Sequence, residues 1–248
     1  MVAAAMTTLA AAPAPRLSEE TRSTPFAGQE ATIGDIGVLT VVVVLLAALV
    51  ARRILVLVRT WDTGRQLGTL MLVISMAALG VAGFYEYKHQ WTQARATAVV
   101  EHVSGVRTSV AHCQRFTPEL LDVSQTSGYV SWGDDGVAQL RRTVCNDLFS
   151  WLSGSKDSPT RAQAIALHVT VHEAMHVAGV REEAKAECYA MQHDADAARF
   201  LGATPAQAQA LVMLYYRNVY PQMSPDYSSA ECAPDQGYDL TPGDGHFP

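Results

Sequence analysis

Two long uncharged stretches constrain this chain more than any other feature. Residues 36–51 (IGVLTVVVVLLAALVA) and 67–85 (LGTLMLVISMAALGVAGFY) hold no charged side chain. A helix needs about 20 apolar residues to cross the hydrocarbon core of a bilayer. With Ile33 and Gly34 the first run approaches that length, and the second matches it. A helix at the surface of a soluble core keeps a polar stripe toward water; neither run has one. The sequence therefore predicts two transmembrane helices, about 33–51 and 67–85, in a segment 33–86, and makes the lipid bilayer an expected partner. The linker RRILVLVRTWDTGRQ between them carries Arg52, Arg53, Arg59 and Arg65, whereas residues 1–32 carry Arg16 and Arg22 against Glu19, Glu20 and Glu30. Basic loops stay on the cytoplasmic side. The expectation is a multi-pass protein of the cell membrane, its linker in the cytoplasm, both termini outside, and residues 87–248 forming an extracytoplasmic domain. Trp61, Tyr85, Tyr87 and Trp91 suit the two interfaces.

Cysteine usage bears on this topology independently. Cys113, Cys145, Cys188 and Cys232 all follow the second run. An even count confined to an exported region predicts two disulfides. Three pairings are possible; Cys113–Cys145 with Cys188–Cys232 is favoured because each closes one local segment. Residues 1–32, rich in Ala, Pro, Thr and Ser, read as a disordered tail. The net charge is −6 and no Lys/Arg-rich run occurs, so nucleic acid has no electrostatic footprint to bind.

The exported part reads as all-helical. A helix is expected from Glu86 to about Gln114, then a loop with one short helix over 116–135. Asp134 or Asp135 is expected to cap a helix over 136–152, followed by helices from Ser158-Pro159 to 178, over 182–201, and from Thr204-Pro205 to 220. The stretch HVTVHEAMHVAGVREEAKAECYAMQ (168–192) falls on two of these. His172-Glu173-Ala174-Met175-His176 is an H-E-x-x-H motif. On a helix, residues four apart share a face, so both imidazoles can bind one Zn²⁺ with Glu173 beside them. Ile165, Val169, His172 and His176 make one stripe, which points the histidines inward. Gly179 and Val180 make a tight connection, so the next helix folds back. Counting outward from that turn, Glu183 faces His176 and Glu187 faces His172. One glutamate can complete the metal site and the other can orient a ligand imidazole.

An H-E-x-x-H helix followed by a glutamate on a second helix resembles the zincin metallopeptidases, and the gluzincin branch in particular. The second helix of thermolysin-like members carries N-E-A-x-x-D, and EEAKAE (182–187) is similar. The resemblance implies Glu183 as third ligand and Glu187 in the second carboxylate position. It also implies Zn²⁺ as cofactor, a peptide or protein substrate, and Glu173 as the catalytic base. Membrane-embedded gluzincins carry E-x-x-A-D, again similar to Glu183, Ala186 and Glu187. Glu182 stands where the asparagine is usual, and the gap from His176 to Glu183 is shorter than in most members. HEAMHVAGVRE is also similar to the metzincin H-E-x-x-H-x-x-G-x-x-H, which would make Glu182 the third ligand. The order of preference is Glu183, Glu187, Glu182. Candidate donors to a transition-state oxyanion are His193, Tyr189 and His168. The likeness spans residues 165–200.

These readings converge on a membrane-anchored zinc metallopeptidase with a helical extracytoplasmic domain. The alternative is a non-catalytic metal-binding or interaction protein on the same scaffold. A di-iron or di-manganese bundle would require a second E-x-x-H and two further glutamates, and the stretch 165–200 holds no second E-x-x-H.

Overall fold

The computed structural model of the chain describes residues 36–59, 65–115, 128–130 and 136–248. The expected tail over 1–32, Trp61, the loop over 116–127 and the caps Asp134 and Asp135 lie outside the described residues.

The two apolar runs form helices α1 (Val38–Arg59) and α2 (Arg65–Ser104). Both are long and apolar enough to cross a membrane. They pair with each other and expose large apolar side chains on their remaining faces, such as Val44, Leu45, Leu55 and Val73. Each is longer than its uncharged run. The apolar residues Ile54–Val58 carry α1 on to Arg59. The 40 residues of α2 span about 60 Å at 1.5 Å per residue, roughly twice a hydrocarbon core. The helix therefore continues into the domain, where Ala96, Val99 and Val100 are fully buried. Where α2 leaves its apolar run, Glu86 accepts hydrogen bonds from Thr40 of α1 (2.6 Å) and Gln90 (2.8 Å) and an ion pair from Arg115 (3.0 Å).

The rest is mostly helical, with one departure from the all-helical expectation. Strands β1 (Val110–Cys113), β2 (Gly128–Val130) and β3 (Val137–Leu140) form a three-stranded sheet in the order β1-β3-β2. β1 and β3 are parallel; β2 and β3 are antiparallel. The helix expected over 86–114 ends at Ser104, and the one expected from 136 begins only at Arg142. Gly105 (φ 72°), just past α2, and Gly136 (φ 95°), just before β3, adopt left-handed backbone that glycine takes without a Cβ penalty. Beyond each, burial alternates with period two: Ala111 and Cys113 are buried in β1, Ala138 and Leu140 in β3. Four-residue strands are too short for that alternation to stand out in sequence.

Four helices follow: α3 (Arg142–Ser153), α4 (Arg161–Val177), α5 (Glu183–Phe200) and α6 (Pro205–Asn218), then two 3-10 turns, Tyr220–Gln222 and Pro225–Tyr227. α4 starts two residues later than its Ser158-Pro159 signal. Its N-cap is Thr160, which accepts from the Gln163 backbone (3.2 Å) while Gln163 Oε1 accepts from the Thr160 backbone (2.9 Å). This capping box stabilises the helix start by about 1 kcal/mol. Thr204 and Gln207 repeat it at α6. α4 packs against α2, α3, α5, α6 and the sheet, so it is the central helix, buried almost continuously from Ala164 to His176. Ile165 and Val169 are only partly buried, and Leu167, His168 and Val171 are deeper than that expected stripe. Truncating Leu167 to Ala would cost about 2–5 kcal/mol. The favoured disulfide pairing is the one observed. Cys113–Cys145 ties β1 to α3, and Cys188–Cys232 ties α5 to the C-terminal tail.

Candidate metal centre

The site is built by the way α4 ends. Gly179 takes φ 95°, a conformation that glycine adopts without a Cβ penalty. The Val180 N–H then reaches back to the Met175 carbonyl (3.0 Å) and the Gly179 N–H to the His176 carbonyl (2.9 Å), the paired closure of a Schellman motif. The chain reverses at once and α5 packs alongside α4. The same reversal presents the Val180 carbonyl to His176 Nδ1 at 2.7 Å. A carbonyl only accepts, so Nδ1 carries the proton and Nε2 of neutral His176 is left as a lone pair.

That lone pair faces two other donor atoms. His176 Nε2 lies 3.0 Å from His172 Nε2 and 3.2 Å from Glu183 Oε2, and His172 Nε2 lies 3.1 Å from the same oxygen. Ligand atoms about 2.0–2.1 Å from a tetrahedral ion stand about 3.3–3.4 Å apart, so the triangle is a few tenths of an ångström tighter than a metal would hold it. Two ring nitrogens and a carboxylate oxygen pointing at one spot repel unless a proton or a cation sits between them. The protein answers with a proton: burial alone would lower the pKa of His172, yet the hydrogen bond to Glu183, the Glu187 carboxylate beside Nδ1 and the Glu173 charge lift it to about 9. The hydrogen bond from His172 holds the Glu183 carboxyl below its usual range. A divalent ion would replace that proton. The His172 and His176 side chains are 8% and 5% exposed and Glu183 is 41% exposed, so the site opens on the Glu183 side.

Glu173 lies beside this triangle, almost buried, with Oε2 lacking a hydrogen-bond partner. Burial raises its carboxyl to about 7, partly offset by His172, which suits a group that exchanges a proton near neutral pH.

Behind the triangle lies a second cluster. Glu187 Oε2 approaches His172 Nδ1 at 3.1 Å, off the line of a good hydrogen bond, and His168 Nε2 at 3.0 Å; Glu187 Oε1 accepts from the Tyr215 hydroxyl at 2.6 Å. His168 Nδ1 meets Asp194 Oδ2 at 2.8 Å. The His168, Glu187 and Asp194 side chains are 1%, 2% and 0% exposed. Burial alone would lower His168, but the Glu187 and Asp194 charges raise it to about 10. Burial raises Asp194 as well. Both shifts mean that one proton stays between these two across neutral pH. Despite its burial, Glu187 stays ionised because His168 and His172 face it.

The structure thus brings together His172, His176, Glu183, Glu173, Glu187 and His168, and among the described residues two sets of atoms could hold a metal: His172, His176 and Glu183, or His168, His172 and Glu187. Glu182 is exposed just before α5, with Oε1 bonded to the Tyr238 hydroxyl at 2.6 Å. Tyr189 packs against Tyr238 and Lys185. His193 sits near Asp196, Asp194 and His102, and burial lowers its pKa. These three are not drawn to the triangle.

Three participants escaped the sequence reading. Asp194 lies seven residues after Glu187, two turns along one face, a spacing that was there to be noticed. Tyr215 reads as a core residue, and its hydroxyl is a polar handle that must find a partner when buried. Tyr227 lies in a 3-10 turn against α5, its ring 5.8 Å from that of His172. Burial and the fields of Glu183, Glu173 and Glu187 keep its hydroxyl protonated. No local sequence signal marks it. Compared with family models, curated proteins and solved structures, the chain matches none of them.

Proposed function

We propose that the protein is a membrane-anchored zinc-dependent metallopeptidase whose catalytic domain stands outside the cytoplasm. One observation carries the reading: Nε2 of His172, Nε2 of His176 and Oε2 of Glu183 converge within 3.0–3.2 Å of one another, beside a buried carboxyl raised to about 7. Two imidazoles and one carboxylate with an open side are the donor set of catalytic zinc. The supports also fit. His176 is oriented by the Val180 carbonyl, an outer contact of the kind that fixes the tautomer of metal-binding histidines, and the Glu187 carboxylate lies 3.1 Å from His172 Nδ1. When bound, zinc activates water at neutral pH and polarises a carbonyl.

The chain's own residues then have distinct parts. Glu173 takes the proton of the attacking water and returns it to the leaving amine. Tyr227 keeps its hydroxyl proton and can donate to the developing oxyanion. Glu187, His168, Asp194 and Tyr215 hold His172 in place from behind. The peptide bond as target rests on the likeness to zincins.

Metal analysis and peptide hydrolysis by the full chain in detergent test the proposal. The expectation is one zinc per chain and turnover that disappears in Glu173→Gln with the zinc retained. A chain without stoichiometric zinc overturns the reading. Zinc without turnover in either form supports the non-catalytic metal-binding alternative.

A further inference from the structure

At the domain end of the two apolar helices there is a cavity of about 840 Å³. One wall is apolar and belongs to the start of α1: Ile36, Val38, Leu39 and Val42. The facing wall is cationic, made by Lys88 of α2, Arg115 just after β1 and Arg142 at the start of α3. No acidic side chain lines the cavity among the described residues. Arg115 is held by its 3.0 Å pair with Glu86, and Lys88 lies 4.9 Å above the Phe149 ring.

Its depth is fixed by the hairpin. The Thr40–Glu86 hydrogen bond sets the first turn of α1 level with the point where α2 leaves its apolar run. Tyr85, which lines the cavity, and the neighbouring Tyr87 are 58% and 60% exposed. Such aromatic side chains favour the membrane–water interface. An occupant must therefore be apolar toward α1 and anionic toward Lys88, Arg115 and Arg142, at the level where acyl chains meet headgroups. Phosphate esters pair well with clustered arginine and lysine.

We propose that this cavity binds an anionic phospholipid, its acyl chain along the start of α1 and its phosphate against Lys88, Arg115 and Arg142. The inference rests on the membrane-spanning part of the proposed function and not on the zinc site. The bound lipid fills the junction between the hairpin and the domain.

Native mass spectrometry of the full chain, purified in detergent and titrated with phosphatidylglycerol or phosphatidylcholine, tests it. The expected result is one retained phosphatidylglycerol with phosphatidylcholine bound at least about tenfold more weakly. Lys88→Glu and Arg142→Glu should each weaken phosphatidylglycerol by about fivefold or more, since each cation near an anionic surface contributes roughly that factor. Arg199→Glu on α5, paired with Asp196, should change nothing, and Leu39→Gln should weaken both lipids. Equal binding of both lipids, or unchanged selectivity in the two charge reversals, overturns the proposal. Crosslinking of residues 1–32 into the cavity, with no lipid retained, overturns it in favour of the chain's own N-terminal segment. A chain that partitions into water on detergent phase separation overturns the membrane reading and the proposal together. One that stays with detergent yet shows no lipid preference sinks only the proposal.

Discussion

The outer cluster (His172, His176, Glu183) and the inner cluster (His168, Glu187, Asp194, Tyr215) both set histidine against carboxylate across α4 and α5, one turn apart, and α6 adds Tyr215 to the inner one. They differ in burial and in how their donor atoms are arranged, although Asp194 Oδ1 of the inner cluster has no hydrogen-bond partner. In the inner cluster both ring nitrogens of His168 and both oxygens of Glu187 have partners at 2.6–3.0 Å, and all three ionisable side chains are sealed from water. In the outer cluster two ring nitrogens and a carboxylate oxygen face one another, and one side is open through Glu183. Sealed polar groups that bond to one another give rigidity; donor atoms that converge beside an opening could take a cation. Histidines at a four-residue step do not by themselves say which is which.

The sharpest way to break this comparison is to remove one member of each cluster. His176→Ala should abolish stoichiometric zinc after dialysis, whereas His168→Phe should retain it when both are measured by atomic emission. The reverse pattern would move the ion to the inner set of His168, His172 and Glu187. Next in size, Glu173→Gln should lower the hydrolysis rate by about 10²–10⁴-fold with zinc content unchanged. Equal loss of zinc would make Glu173 a structural group. Third, Glu187→Gln should weaken zinc by about 10–100-fold, read by competition with a chelating dye. An unchanged affinity would show that the inner cluster does not orient His172.

The smallest expected effect is on pH dependence. The folded values of His168 (about 10) and His172 (about 9) stand above the ordinary 6.5. Their contribution to stability is therefore complete below pH 6.5 and declines as pH rises toward 9–10. Glu187 and Glu183 are shifted down, so theirs is present above the ordinary carboxylate value of 4.5 and fades as pH falls below it. Chelator-treated protein should unfold at its highest temperature near pH 5–6.5, and lose on the order of a few degrees by pH 9. A melting temperature that rises steadily from pH 6.5 to 9 would mean that these imidazoles are neutral in the folded protein.

The degree to which the sequence was legible varied along the chain. The two apolar helices could be read because hydrocarbon demands uninterrupted apolar side chains, a condition written residue by residue. H-E-x-x-H and the turn at Gly179 could be read because helical spacing and a positive φ are local properties. The pairing of Cys113 with Cys145 and Cys188 with Cys232 followed from proximity along the chain. The sheet was missed because β1 and β3 are four residues long and are stabilised by pairing across some two dozen residues. Glu183 was preferred over Glu182 on likeness, and the fold separates them: one carboxylate meets the imidazoles, while the other meets Tyr238 on the exposed side.

The sequence by itself determined two helices fit for a membrane, a predominantly helical domain after them, and two imidazoles on one helical face next to a carboxylate helix, because all of these depend on residues within a few turns of one another. Only the tertiary structure decided that His168 is sealed behind Glu187, Asp194 and Tyr215, that Tyr227 comes to lie beside His172, and that Lys88, Arg115 and Arg142 meet around one cavity. Those groups are far apart along the chain, and what joins them is the packing of α4 against nearly every other element of the domain.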